Sequence, residues 1–307
     1  MPRPPIAERV VPSLVRPHPE RDGAFRWRGD GVSRIEGLSD AVFGFAITLL
    51  VVSLGAPRTY DDLVRMIVGF PAFVGTFGLL VVVWLAQYRF FRRYGLEDGT
   101  TVRLNVALLC VVVFFVYPLK FLFETFIALW LGPLGYALGA APLIAQARAA
   151  QRALRPEQWP AVMLVFAAGY AAVFGLFALM HRHALRQADQ LALDPVERHD
   201  TRFAVLEHTV NVGVAAASVL VTYAVAYAPA LQGVVPREAF GAPGFGAMLG
   251  GFTYAATGPI MYLVARRHGR PREALLAARD ADPPPAVLPT EYAFAGAPPA
   301  DRPLPRP

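Results

Sequence analysis

The sequence holds a single cysteine, Cys110, and a single lysine, Lys120, among 307 residues. One thiol excludes a disulfide framework and a cysteine-based metal site. Charge is scarce too: Asp, Glu, Lys and Arg make up 17% of the chain, against roughly 25% in ordinary globular domains. No phosphate-binding loop, dinucleotide fingerprint, nucleophile elbow or zinc-protease motif is present, so an enzyme is not expected and no cofactor is called for. The chain also lacks the Thr-Val-Gly-Tyr-Gly sequence that builds a carbonyl filter and any internal repeat of the transporter kind.

What the chain has instead is apolar length. Hydrophobic residues form 55% of it, and the mean hydropathy is +0.41. A helix crossing the hydrocarbon core needs about 20 mostly apolar residues. Six stretches qualify, near 38–55, 65–86, 104–131, 159–180, 205–230 and 244–265. The predicted fold is an all-α integral membrane protein with six transmembrane helices in the lipid bilayer. The spans form one domain over residues 33–267. A basic tail (1–32) and a Pro-rich tail (268–307) flank it. The first shows no apolar period and is expected to be disordered or to lie on the anionic inner leaflet, and the second is expected to be disordered.

The net charge of +6 could suggest nucleic acid, but in a six-span chain the positive-inside rule explains it better. Arginines gather before the first span and after the second, fourth and sixth. The segments 56–64 and 231–243 carry only Arg58 and Arg237. Both termini are therefore expected in the cytoplasm of a cell-membrane, multi-pass protein, with no nucleic-acid partner. Arg148, Arg152 and Arg155, after the third span, depart from that pattern. A cleaved signal peptide is not expected, since the first apolar run starts near residue 40 without a following cleavage site.

The stretch Arg34–Leu54 organises the rest. Ser33 and Glu36 have the spacing of a capping box, which would start a helix in the cytoplasm and run it into the membrane. Arg34, Ser39 and Asp40 stand at its entrance. They read either as a structural lock against neighbouring helices or as a direct ion or proton site. At 100° per residue, Asp40 lies about 140° around the helix from Phe45, away from the face carrying Phe45, Thr48 and Val52. Those three, spaced i, i+3, i+7, share one stripe. The stripe is ordinary helix packing or, if several copies surround an axis, a constriction with a ring of hydroxyls.

Elsewhere the expectations are local. Pro118 should kink the third span. Lys120 and Glu124, one turn apart, should pair or snorkel near the outer interface, or line a charged vestibule. The portion 141–154 could form a short interfacial helix, and Gly246 to Gly250 is a small-xxx-small motif. His181, His183, His199 and His208 are expected at interfaces rather than around a metal, because no carboxylate or Cys stands at ligand spacing.

Arg34-x-x-x-Leu38-Ser39-Asp40, followed by the apolar run from Ala41 to Leu50, resembles the Arg-x-x-x-Phe-Ser-Asp motif that opens the first helix of the bacterial and endolysosomal potassium-channel family. Trp84, Asn105 and Pro118 also sit where that family often has Trp, Asn and Pro. The single copy of the motif implies the prokaryotic arrangement, a homotetramer that passes potassium ions. The resemblance also implies that the first helix lines the pore. Phe45 would form the tightest ring, Thr48 the threonine layer linked to potassium preference, and Val52 the outer apolar ring. Arg34, Ser39, Asp40, Trp84 and Gln87 would form a polar network between helices. Three residues depart from the pattern. Leu38 replaces the motif's Phe, Phe45 stands for a usual Ile or Leu, and Gln87 occupies a common His position. Four Phe rings would narrow or gate the path. This leaves an alternative to a potassium-preferring channel: a non-conducting scaffold or partner subunit, or a slow proton or solute carrier.

Overall fold

The computed structural model describes residues 21–22, 25–29, 31–231 and 241–281. A two-residue antiparallel pair, β1 (Arg21–Asp22) and β2 (Phe25–Arg26), precedes the helices. These are α1 (Arg34–Val52), α2 (Tyr60–Tyr94), α3 (Gly99–Leu138), α4 (Ala141–Ala153), α5 (Trp159–Arg186), α6 (Pro195–Ala226), α7 (Gly241–Phe252) and α8 (Thr257–Ala281). Five helical segments among the described residues are long and apolar enough to cross a membrane: α1, α2, α3, Pro156–Arg186 and α6. The sixth apolar stretch is split. α7 runs through a 3-10 turn, Thr253–Ala256, into α8, so the expected continuous span 244–265 is a broken one. The chain is an all-α, multi-pass membrane protein.

The helix boundaries follow from local chemistry. The Ser33 hydroxyl accepts from the Glu36 amide at 3.2 Å, and the Glu36 carboxylate accepts from the Ser33 amide at 2.8 Å. This reciprocal cap starts α1. α1 has 19 residues, about 28 Å of helix, close to the thickness of the hydrocarbon core. Thr59 and Asp62 cap α2 in the same way. α2 ends at Gly95, whose φ of 58° is left-handed and favours glycine. A side chain at Gly95 would also meet the Arg28 carbonyl oxygen at 3.0 Å. α3 continues through Pro118 and Pro133 for 40 residues, about 60 Å, and so overshoots the expected span 104–131.

The main core joins α1, α2, α3 and α5 through Phe43, Ala46 and Leu50, Leu80 and Val83, Leu108 and Val112, and Phe177 and Met180. On the other side, α7 lies directly on α6. A Cβ at Gly246 would come within 2.5 Å of the Thr222 carbonyl oxygen, and one at Gly250 within 2.7 Å of that of Ser218. The small-xxx-small motif is therefore used for close backbone approach.

A part of each tail lies among the described residues. Over residues 25–29 the basic segment is docked. Phe25 is buried against Tyr94, and the Arg28 and Gly29 amides donate to the Arg92 carbonyl at 2.9 and 3.3 Å. The partner of this segment is the fully buried Glu197 carboxylate. That group accepts from the Arg26 amide at 2.9 Å and from the Arg26 and Arg28 guanidiniums. At the other end α8 extends helix to Ala281. The remaining tail residues, 1–20, 23–24, 30 and 282–307, lie outside the described residues.

The histidines also differ from expectation. His181 and His208 are buried, not interfacial. Their rings lie 4.9 Å apart among Phe90, Tyr94, Phe174 and Phe177. Aromatic faces in α2 and α5 accept the imidazoles as flat rings. His183 sits instead against both Asp98 oxygens at 3.0 Å.

Candidate pore helix and its polar anchor

α1 has two faces set about half a turn apart. Ser39, Phe43, Ala46 and Leu50 are buried against the other helices. Their spacing of four, three and four keeps them on one stripe. On the opposite side Leu38 is 50%, Phe45 56% and Val52 67% exposed, and Thr48 is exposed between them. Phe45, Thr48 and Val52 thus share one open face of the single chain. The Thr48 hydroxyl donates to the Gly44 carbonyl at 2.8 Å. With its proton held inside the helix, the oxygen turns lone pairs outward, the form of a hydroxyl that a cation can use.

The buried face is anchored by a compact polar triad. Gln87 of α2 donates from its amide nitrogen to the Ser39 hydroxyl at 2.8 Å and also to the Asn105 side-chain oxygen of α3. Asn105 donates to Ser39 at 3.0 Å, and Ser39 donates to the Ile35 carbonyl at 2.7 Å. All three side chains are buried. Each capacity of Ser39 is used, so three helices are fixed at one level without a charge.

Asp40 stands beside this triad and takes the Trp84 indole N–H at 2.8 Å. It faces away from the Phe45 stripe. The structure therefore brings together Ser39, Asp40, Trp84 and Gln87, and adds Asn105, which the sequence reading left outside the network. Asn105 gave a signal all the same: a lone carboxamide in an apolar span needs a partner. Arg34 is exposed and stands apart from these contacts.

An aromatic ladder continues from Asp40 toward the docked N-terminal segment. Trp84 stacks on Tyr88 at 5.9 Å, and Trp27 meets Tyr88 edge-on at 6.3 Å. Arg92 lies over the Tyr88 ring and donates to the Gly29 carbonyl at 3.0 Å. The Glu197 clamp on Arg26 and Arg28 is thereby linked, through packed rings, to the entrance of α1. At the other end Lys120 donates to the Ser53 carbonyl at 2.7 Å and pairs with Glu124 at 3.4 Å. The lone lysine thus holds the end of α1, where a cation complements exposed carbonyls. Among the described residues no three His, Cys, Asp or Glu side chains converge as metal ligands.

Residues 34–115 match the family model described as "Endosomal/lysosomal potassium channel TMEM175". The match begins at Arg34, at the start of α1. A potassium channel of Marivirga tractuosa is 33% identical over 198 residues, which is 64% of this chain and 77% of that protein. A potassium channel of Chamaesiphon minutus is 31% identical over 99 residues, 30% of this chain and 49% of that one. Among solved structures, the crystal structure of a variant of the potassium channel MtTMEM175, in complex with a Nanobody-MBP fusion protein, superposes with a TM-score of 0.65. The two are 28% identical, and the match covers 81% of this chain and 99% of that one.

Proposed function

The chain belongs to the TMEM175 potassium-channel family, and from that membership we propose that it is a potassium-preferring cation channel whose pore is enclosed by α1 from four copies. It is not an enzyme. One observation carries the reading. α1 is anchored along one face by Ser39, Phe43, Ala46 and Leu50, while the opposite face, with Phe45, Thr48 and Val52, is left open in the single chain. Four such faces around an axis would supply an apolar constriction at Phe45, a ring of Thr48 oxygens, and an outer apolar ring at Val52. Without carbonyl ligands, discrimination between potassium and sodium would be modest. The arginine distribution supports a cell-membrane protein with both termini inside.

In this reading the network of Ser39, Asp40, Trp84 and Gln87, with Asn105, holds α1 in place and is not part of the ion path. Arg34, exposed at the helix start, carries the same sign of charge as a permeant cation and would face lipid phosphate or water.

The test is potassium flux into liposomes carrying the purified protein, compared with Phe45→Ala. Flux in the wild type, raised by the substitution and favouring potassium over sodium, supports the channel with its gate at Phe45. Flux in the variant alone means a pore shut by the Phe ring. Flux in neither, with the protein folded, moves the assignment to a non-conducting scaffold or partner subunit. What favours that second reading is a Phe at position 45, where the family resemblance would put the tightest ring.

A further inference from the structure

The arginines that depart from the positive-inside pattern lie on one hairpin. α3 turns at Gly139 into α4, and the two helices pack closely. A Cβ at Gly132 would meet the Ala147 Cβ at 2.8 Å, and one at Gly135 would meet the Leu143 Cβ at 2.7 Å. α4 is amphipathic: Ala147 and Ala150 are buried, while Arg148 and Arg152, one turn apart, are exposed, as is Arg155 just beyond. The Arg148 guanidinium is held by Tyr136, to whose hydroxyl it donates at 3.3 Å. Arg152 and Arg155 form no ion pair among the described residues. Glu157 is the only carboxylate in the segment 141–158.

The end of α3 carries the opposite character. Trp130, Leu134 and Leu138 recur every four residues and are 62%, 49% and 69% exposed. Two physical limits then fix where the hairpin lies. Three arginines within eight residues cannot rest in hydrocarbon, and an exposed Trp-Leu-Leu stripe is unfavourable in water. Only the headgroup boundary of the bilayer suits both.

We propose that the α3–α4 hairpin is a binding surface for the phosphate headgroup of an anionic membrane phospholipid. Arg152 and Arg155 are its free donors, and the Trp130–Leu134–Leu138 stripe seats the acyl portion. The guanidinium fork matches phosphate oxygens in pairs. The surface is independent of the pore reading, since none of its residues lies on α1.

The test adds phosphatidylglycerol or phosphatidylcholine, with matched acyl chains, to the full-length detergent-solubilised protein. Bound lipid is counted by native mass spectrometry. The wild type is expected to retain phosphatidylglycerol in preference to phosphatidylcholine. Arg152→Gln with Arg155→Gln should weaken phosphatidylglycerol retention about thirtyfold, from the usual contribution of each basic residue near an anionic surface. Retention of phosphatidylcholine should not change. Replacing both arginines with Lys should restore most of the preference, and Arg65→Gln, on α2, should leave it intact. Both arginines are exposed, so the thermal midpoint of the variants should equal the wild type's and a lost preference is a binding effect. Equal retention of the two lipids by the wild type overturns the proposal. So does an unchanged preference in the double Gln variant, the result expected if a second copy of the chain covers the hairpin.

Discussion

The two faces of α1 are nearly alike in composition and opposite in fate. One offers Phe43, Ala46 and Leu50, the other Leu38, Phe45 and Val52. Both would read as apolar helix surface. The first is buried against α2 and α3, and the second is open in the single chain. In a bilayer, apolarity does not choose between these fates, because lipid tails are as apolar as a packed core. The choice is made at Ser39, whose hydroxyl oxygen accepts from the buried side-chain amides of Gln87 and Asn105. One polar group at the entrance sets the rotation of the whole helix. The opposite face is then free to take a different task.

The strongest way to disturb this arrangement is at the far end of its support. Glu197→Ala would leave Arg26 and Arg28, with guanidiniums mostly shielded from solvent, without their carboxylate. Breaking a buried ion pair from one side costs about 3–5 kcal/mol, and partial exposure of the arginines favours the lower end. Thermal unfolding in mild detergent should show the loss. Trypsin should cut after Arg26 and Arg28 in the variant well before it does so in the wild type. Protection unchanged from the wild type would show that the N-terminal segment is held by Phe25 rather than by Glu197.

Gln87→Leu comes next and acts on the buried face directly. It removes the donor to Ser39 and leaves the buried Asn105 oxygen unpaired, a cost of about 2 kcal/mol. Gln87→His, which keeps one donor, should lose less. Stability of Gln87→Leu equal to that of the wild type would mean that packing around Phe43 and Leu50, and not the triad, fixes the rotation of α1.

How far the sequence foretold this depends on the range of each interaction. The start of α1 was legible because Ser33 and Glu36 cap locally. The phase of Phe45, Thr48 and Val52 against Asp40 was legible because it needs only helical geometry. The docking of Arg26 was not, since its carboxylate partner is 171 positions away. A residual signal existed in Phe25-Arg26-Trp27-Arg28, whose alternation is strand-like. The break in the last span was missed for a similar reason. Thr253 donates back to the Gly250 carbonyl at 2.7 Å, and Ser218 of α6 donates to the same oxygen at 2.8 Å. That second donor takes over a carbonyl at the break, and no window of α7 could reveal it. The burial of His181 and His208 was not legible either, since the aromatic rings that pack on them come from α2 and α5 and meet them only in the fold.

Thr48→Val should change stability by less than about 0.5 kcal/mol, as exposed substitutions usually do. Its effect belongs to the other face. Removing the outward oxygen should lower the preference for potassium over sodium, read as a shifted reversal potential in mixed ions, while thermal unfolding stays as in the wild type. A large stability loss with unaltered preference would reverse the assignment of the two faces, making the Phe45 stripe a packing surface.

The smallest effect lies away from both faces and serves as their control. Asp98 caps α3 in the connection between α2 and α3. It accepts from the Thr100 amide at 3.0 Å, from the Thr101 hydroxyl at 2.6 Å and from His183 at 3.0 Å. Burial alone would raise its pKa. The hydrogen bonds from Thr101, His183 and Thr100 outweigh that and lower it from 3.8 to about 2. A carboxyl depressed on folding contributes stability that is complete above its unfolded pKa and is lost as pH falls through the folded one. The difference in thermal midpoint between the wild type and Asp98→Asn should therefore be constant above about pH 4 and close as the pH approaches about 2. The absence of a gap at any pH would mean the cap works through geometry, which Asn can also provide, with the charge contributing little. Ion preference should be untouched at every pH where the protein is folded, because α1 keeps its anchor at Ser39 and its open face at Thr48.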